Sequence, residues 1–452
     1  MKNKLLLILI LSTLNLSAQK YDFDKYRYRV NGYRTLNFSG ELRGSSYFQL
    51  DPDIFSNSNQ NRGTGNLGGS YSRFKNSQNH VKNTHAQLTF LLDNIASVNS
   101  NSMRLINANC NLSTEDLFYR GNKFFSNRMG FYGNFSQLKQ DADQNLITNQ
   151  IRNTGNIFYE TGTGEGRLEY ISDPVLANFI LKDMRQKGVI ENFTPEQIEL
   201  LAQKISQIQS IRMMDYRYRL IDQINMLDSF LKQEVVKDKF NATYFTTLYD
   251  NWLYANRFQR FSGHRNEMFI GDRIGTYSLK QKFETDSSYA QNQLTNQMYI
   301  VFEHVSEKAI KLTYQKSRNL RIEMNRNRGT YDNGFGVYKN KATQFTVNLK
   351  ENFGWYPNTR TFLSTGINTQ AVYQFNSSVH DPTNPGSWRK NNDQLTLTIS
   401  PGINLYYFFS PKLSLNANAA NNLIFYKFFS PGSEGQFYSN NNFNVRINYT
   451  LL

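Results

Sequence analysis

Towards its C-terminus the chain alternates apolar and polar residues almost without interruption. In NFNVRINYTLL, Phe443, Val445, Ile447, Tyr449 and Leu451 alternate with Asn444, Arg446, Asn448 and Thr450. A period of two gives an extended strand one apolar and one polar face. The pattern recurs in KATQFTVNLKENF, where Phe345, Val347 and Leu349 oppose Gln344, Thr346, Asn348 and Lys350. It recurs again on either side of an SPKL turn, with Leu395, Leu397 and Ile399 before it and Leu413, Leu415 and Ala417 after it. Segments of this kind fill most of residues 260–452 and, less regularly, residues 34–158.

Between these two blocks the period changes to that of a helix. Asp173 is placed to cap and Pro174 to take the first helical position, with Leu176, Phe179, Ile180 and Met184 on one face until Gly188. Thr194 and Gln197 flank Pro195 as a capping box. From Ile198 to Leu231 apolar residues return at steps of three and four, which predicts a single amphipathic helix of up to ~60 Å at 1.5 Å per residue. The stretch YETGTGEGRLEY precedes these helices, and its Gly162, Gly164 and Gly166 read as a hinge between strand and helix. A phosphate-binding loop is the competing use of such glycines, but the Lys-Ser/Thr pair and the βαβ setting are missing.

Composition narrows the class. Charged residues make up 19% of the 452 and aromatic residues 14%, with 28 Tyr and 34 Phe. No later stretch approaches the eighteen or so consecutive apolar residues of a membrane-spanning helix. The single cysteine, Cys110, excludes an internal disulfide. Lys2 and Lys4, the run LLLILILSTLNL and Ala18 read as a signal peptide over residues 1–18. The formal charge of +15 falls to about +13 when Lys2 and Lys4 leave, and export argues against nucleic acid as the partner.

Signal peptide, long alternating strands and a last strand running to the final residue together resemble the outer-membrane β-barrel proteins common in Bacteroidota, over roughly nine tenths of the chain. The ending Tyr449-Thr450-Leu451-Leu452 departs from the terminal aromatic usual in such barrels. The resemblance implies an all-β transmembrane barrel of about fourteen antiparallel strands, within a range of about twelve to sixteen, carrying an α-helical hairpin as an insert. Its parts are then strands over 19–170, a helical insert over 171–238 lying in the periplasm or the lumen, and strands again over 239–452. The stretches 56–69 and 380–393 read as exposed loops.

Candidate chemistry is sparse. No cofactor and no metal is expected, because the five histidines are scattered without ligand spacing. Ser262 and His264 in FSGHRNE form a weak candidate for a lipid hydrolase, which needs a carboxylate as third member. Arg257, Arg260, Arg265 and Arg273, with Arg318 and Arg321, are candidates for pore-lining charge. The expected function is a non-enzymatic outer-membrane pore or translocation component with a helical plug; the alternative is a scaffold whose insert docks a periplasmic or outer-membrane protein. Outer-membrane lipid, anionic glycolipid and an anionic solute are the expected partners.

Overall fold

The computed structural model describes residues 21–29, 31–49, 58–97, 102–140, 147–210, 216–236, 240–255, 258–283, 288–334, 336–380, 388–390, 392–410, 412–429 and 434–449. The signal-peptide segment and Arg257 lie outside them.

Six strands come first: β1 Asn31–Gln49, β2 Ser58–Asn76, β3 His80–Ser97, β4 Met103–Arg120, β5 Lys123–Gln140 and β6 Ile147–Tyr170. Four helices follow: α1 Ser172–Gln186, α2 Pro195–Ser210, α3 Tyr216–Glu234 and α4 Ala242–Leu253. The sheet then resumes as β7 Phe261–Phe283, β8 Ser288–Lys311, β9 Tyr314–Asp332, β10 Val337–Asn358, β11 Thr361–His380, β12 Trp388–Lys390, β13 Gln394–Phe408, β14 Leu413–Phe428 and β15 Gln436–Tyr449. All pairings are antiparallel between sequence neighbours, with the three-residue β12 set beside β11 off the main path. That leaves, among the described residues, fourteen strands in one meander, the number expected. Among the described residues no β1–β15 pair closes the sheet.

The sheet curls strongly. Tyr170 of β6 lies 6.5 Å, ring to ring, from Phe74 of β2, four strands away, whereas four strands of a flat sheet span ~19 Å at 4.8 Å each. At one end, apart from the helical excursion from β6 to β7, the strands are joined by turns of two to four residues, 77–79, 121–122, 312–313, 359–360 and 409–412; at the other end the connections have four residues or more, the most compact being 284–287 and 333–336. The chain before β1, the end of β15 and the helical excursion from β6 to β7 share the first of these ends, since Tyr170 pairs with Phe261 and Leu413 with Tyr449.

Sidedness is inverted relative to a water-soluble sheet. Outward positions carry exposed apolar groups, among them Phe38 at 80%, Leu42 at 90%, Met298 at 64% and Ile447 at 67% exposure. Buried polar groups such as Asp93, Glu160, Glu267 and Asn325 take the concave face.

The main apolar core belongs to the helices. Ile180, Leu181, Met184, Leu201, Ile205, Leu227 and Leu231 pack there with Phe23 and Tyr26 of the N-terminal segment and against Ala309 and Leu312 at the β8–β9 turn. The capping box forms: the Thr194 amide donates to Gln197 Oε1 at 2.9 Å, and the Gln197 amide to Thr194 Oγ1 at 3.3 Å.

Four expectations are corrected. The single long helix is two, α2 and α3, running antiparallel so that Gln197 Nε2 at the start of one meets the Glu234 carbonyl at the end of the other; doubling back buries both apolar stripes. The helical insert runs beyond residue 238, because Asn241 caps α4 by accepting from the Tyr244 amide at 3.0 Å. The aromatic and β-branched content of ATYFTTLYDNWL masks that helix. Ile171, not Asp173, is the N-cap of α1, and it makes no side-chain cap. Residues 58–69 belong to β2, not to a loop: Gly65, Gly68 and Gly69 face Leu42, Ser39 and Phe38 of β1, which fill the space.

Candidate functional site: the charged crossing on the concave face

The glycine run is not a boundary between strand and helix. Gly162, Gly164 and Gly166 lie inside β6, the first two paired with both β5 and β7 and Gly166 with β7, and Gly162 and Gly164 share the face of the buried Glu160. A Cβ on Gly162 would stand 2.5 Å from Phe269 Cβ and 2.5 Å from the Met268 carbonyl oxygen. One on Gly164 would enter the Phe124 ring and meet Asn266 backbone. The run leaves a window without side chains, and neighbouring groups lie across it.

Arg128 of β5 and Glu267 of β7 meet over that window. Register places Arg128 opposite Glu160 and Glu267 opposite Gly164, so the line between them crosses Gly162. The Arg128 guanidinium is ion-paired with the fully buried Glu267 carboxylate. It also holds Glu115 at 2.9 Å and Glu160 at 3.5 Å, and sits 4.7 Å above the Phe269 ring. Arg265 extends the network to Glu115 at 3.4 Å and Glu303 at 3.7 Å. Tyr299 donates to Glu160 at 2.7 Å. Arg321 pairs with Glu323 at 2.8 Å and lies 5.3 Å from the Phe269 ring, while Arg273 lies between Phe158 and Tyr299.

Nearer the short turns the facing pattern switches. Gly166 and Gly263 both take positive φ, +85° and +121°, a region that L side chains rarely adopt. Beyond them odd residues of β6 and even residues of β7 turn inward. Arg167 then stacks 4.5 Å over Tyr119 and donates to the Ser77 carbonyl at 2.7 Å and the Gln78 carbonyl at 2.8 Å. Glu169 pairs with Arg29.

Arg260 ends this column. It is 2% exposed and donates to Gln315 Oε1 at 2.8 Å and to the Leu312, Lys311 and Tyr314 carbonyls. Burial pushes its pKa down to about 10. Its amide donates to Ser172 Oγ at 2.8 Å and its carbonyl accepts from Ile171 at 3.0 Å. The two ends of the helical insert are thus stitched together and fastened to the β8–β9 turn. Arg360 at the β10–β11 turn pairs with Asp250 of α4 and gives a second attachment.

Of the arginines singled out from sequence, Arg260, Arg265, Arg273 and Arg321 face inward. Arg318 does not: it pairs with Glu351 across β9 and β10 on the outward face, because it is even-numbered on a strand whose odd residues point in. The inward arginines are matched by acids. Arg128, Arg265, Arg273 and Arg321 face Glu115, Glu160, Glu267, Glu303 and Glu323, so this wall holds no surplus of positive charge. Ser262 and His264 are not brought together, since the buried Ser262 hydroxyl donates to Asp24 while His264 is exposed. Among the described residues no group of three or more His, Cys, Asp or Glu side chains is placed to hold a metal.

Sequence reasoning missed Glu115, Arg128, Glu267 and Glu303. The available signal was parity, because a charged residue between two outward apolar ones on a strand is an inward one.

No protein-family model matches the chain, and no curated protein matches it. Among solved structures, the beta domain of the Bordetella autotransporter Brka is similar at 7% identity with a TM-score of 0.27, over 82% of this chain and 99% of that one.

Proposed function

We propose that the chain is an outer-membrane β-barrel, a pore or translocation component, whose short-turn mouth is gated by the helical unit. The observation that carries this is the inverted sidedness of the sheet. Contiguous apolar exposure on this scale is costly in water and favourable in lipid, and the charged concave face suits a polar passage. No helix among the described residues is long and apolar enough to cross a membrane; in this reading the crossing is made by the strands. The tightest turns, both ends of the strand path and the helices share one side, which matches a periplasmic side in such barrels. The gating role rests on the fastening of the helical unit to the β8–β9 and β10–β11 turns through Arg260 and Arg360.

Because Tyr170 and Phe261 are direct partners, residues 171–260 can be replaced by a two-residue Asn-Gly hairpin turn. Single-channel recording in planar bilayers is the test: the shortened barrel should conduct several-fold more than the full chain, and unchanged conductance would overturn the gate. Phe245 and Tyr249, one turn apart on α4 and both exposed, favour a second reading in which the unit docks a periplasmic protein. In that case the replacement leaves conductance unchanged and removes a co-purifying chain.

A further inference from the structure

Outside the concave network, the outward face of β1–β5 near the short turns combines features that the barrel itself does not require. Arg34 of β1 stands directly opposite Arg73 of β2, and Lys75 directly opposite Lys82 of β3. Like charges directly opposite one another on an antiparallel pair are destabilising. Among the described residues only Asp116 relieves them, and its carboxylate is taken by Lys82 at 3.0 Å and His80 at 2.8 Å. Among the described residues no acid pairs with Arg34, Arg73 or Lys75. One step along the strands, away from the turns, the outward positions become apolar. Leu36 lies opposite Tyr71, and Leu112 opposite Phe131, which is in turn opposite Ile157. A groove of about 460 Å³ joins the two regions, with Arg73 and Lys82 at one end and Leu112, Met129, Phe131 and Ile157 along it.

We propose that this groove binds an anionic phospholipid of the leaflet on the short-turn side. The phosphate sits between Arg34 and Arg73, and an acyl chain lies along Leu112, Met129, Phe131 and Ile157. The assignment rests on the membrane reading above. A phosphate supplies the negative charge that the opposed guanidiniums lack, and Arg is suited to bidentate phosphate contact. The apolar rows begin two residues beyond Arg73, ~7 Å at 3.3 Å per residue, where acyl chains take over from head groups. The position is also consistent with the topology: cations at this end lie at the depth of the leaflet facing the helical unit.

Native mass spectrometry of the full chain from detergent, with phosphatidylglycerol and phosphatidylcholine added in equal amounts, tests this. The wild type should retain phosphatidylglycerol at least fivefold over phosphatidylcholine. Arg34→Gln with Arg73→Gln should abolish that preference while keeping heat-resistant, barrel-like migration in gels. Lys280→Gln with Arg326→Gln, outward cations at the opposite end, should leave it intact. Equal retention of the two lipids by the wild type, or an unchanged preference in the arginine double variant, would overturn the assignment. So would complete displacement by millimolar inorganic phosphate, which would show that the groove contributes nothing. A wild-type chain that fractionates away from membranes fails the membrane reading itself; an embedded chain without lipid preference fails only this one.

Discussion

Arg128 and Glu267 are two strands apart, and their ion pair spans β6 where Gly162 leaves room. With Glu267 fully buried, removing the arginine leaves its carboxylate away from water with only the more distant Arg265, at 3.7 Å, to offset it. Arg128→Ala should therefore cost about 3–5 kcal/mol, whereas Arg128→Met combined with Glu267→Leu should recover most of it. Urea unfolding in detergent or liposomes measures both. If the double variant is as unstable as the single, the pair is not what fixes this part of the wall.

The glycine beneath the pair gives a sharper steric test. Gly162→Val puts atoms where Phe269 Cβ and the Met268 carbonyl already stand, so overpacking of about 1–3 kcal/mol or more is expected. Thr163→Val, on the outward face of the same strand, should be neutral to mildly stabilising. The same urea midpoints decide it, and equal effects at the two positions would show that Gly162 is not a crossing point.

What was legible in the sequence follows from periodicity. Phe443 to Tyr449, Phe345 to Leu349 and Leu395 to Ile399 announce strands because their period of two is undisturbed, and Thr194 with Gln197 announces α2 because the capping box is local chemistry. The meaning of Gly162, Gly164 and Gly166 was not legible, since it depends on Phe124 and Phe269, which are brought beside them only by pairing. Arg318 and Arg321 look alike in sequence, yet odd and even parity on β9 sends one outward and the other inward. Residues 241–253 fall within the block read as strands, because β-branched and aromatic residues favour that element; Asn241 alone marks the helix start. The break between α2 and α3 leaves no proline or glycine behind, so unbroken periodicity predicted one helix.

Sidedness at the C-terminal strand is checked by a matched pair. Ile447 is 67% exposed and opposite Leu415, while Asn448 is opposite Ser414. Placing arginine at 447 should cost roughly 2–4 kcal/mol if that face meets lipid. Asn448→Arg on the other face should cost little. Equal loss of heat-resistant barrel from the two changes contradicts the assignment of faces.

The helical unit carries its own pH dependence. Asp173 in the first turn of α1 is 2% exposed, with one carboxylate oxygen lacking a partner. Burial pushes its pKa up to about 7, against the opposing pull of Ser206. The folded state then holds a proton that the unfolded chain releases near its ordinary value, 3.8. Stability therefore falls as pH rises between about 4 and 7, and is level above that. The helical signal in circular dichroism should melt at a higher temperature at pH 5.5 than at pH 8. Asp173→Asn should shrink that difference and raise the melting temperature at pH 8. A wild-type slope that persists in Asp173→Asn would assign it to other groups.

Topology can be tested on cells, because the tightest turns, both ends of the strand path and the helices lie together. In a Cys110→Ser background, cysteines at Lys187 and Gln207 report on the helical unit, and one at Lys339 reports on the opposite end. All three positions are exposed. An impermeant thiol reagent applied to intact cells should label Lys339→Cys within minutes and spare the other two. Permeabilising the outer membrane should open all three to labelling, which separates shielding by the membrane from burial within the protein. Labelling of Lys187→Cys and Gln207→Cys on intact cells, with Lys339→Cys protected, would invert the barrel. The helical unit would then face the outside, and both the gate at the periplasmic mouth and the leaflet assigned to the Arg34–Arg73 groove would be overturned.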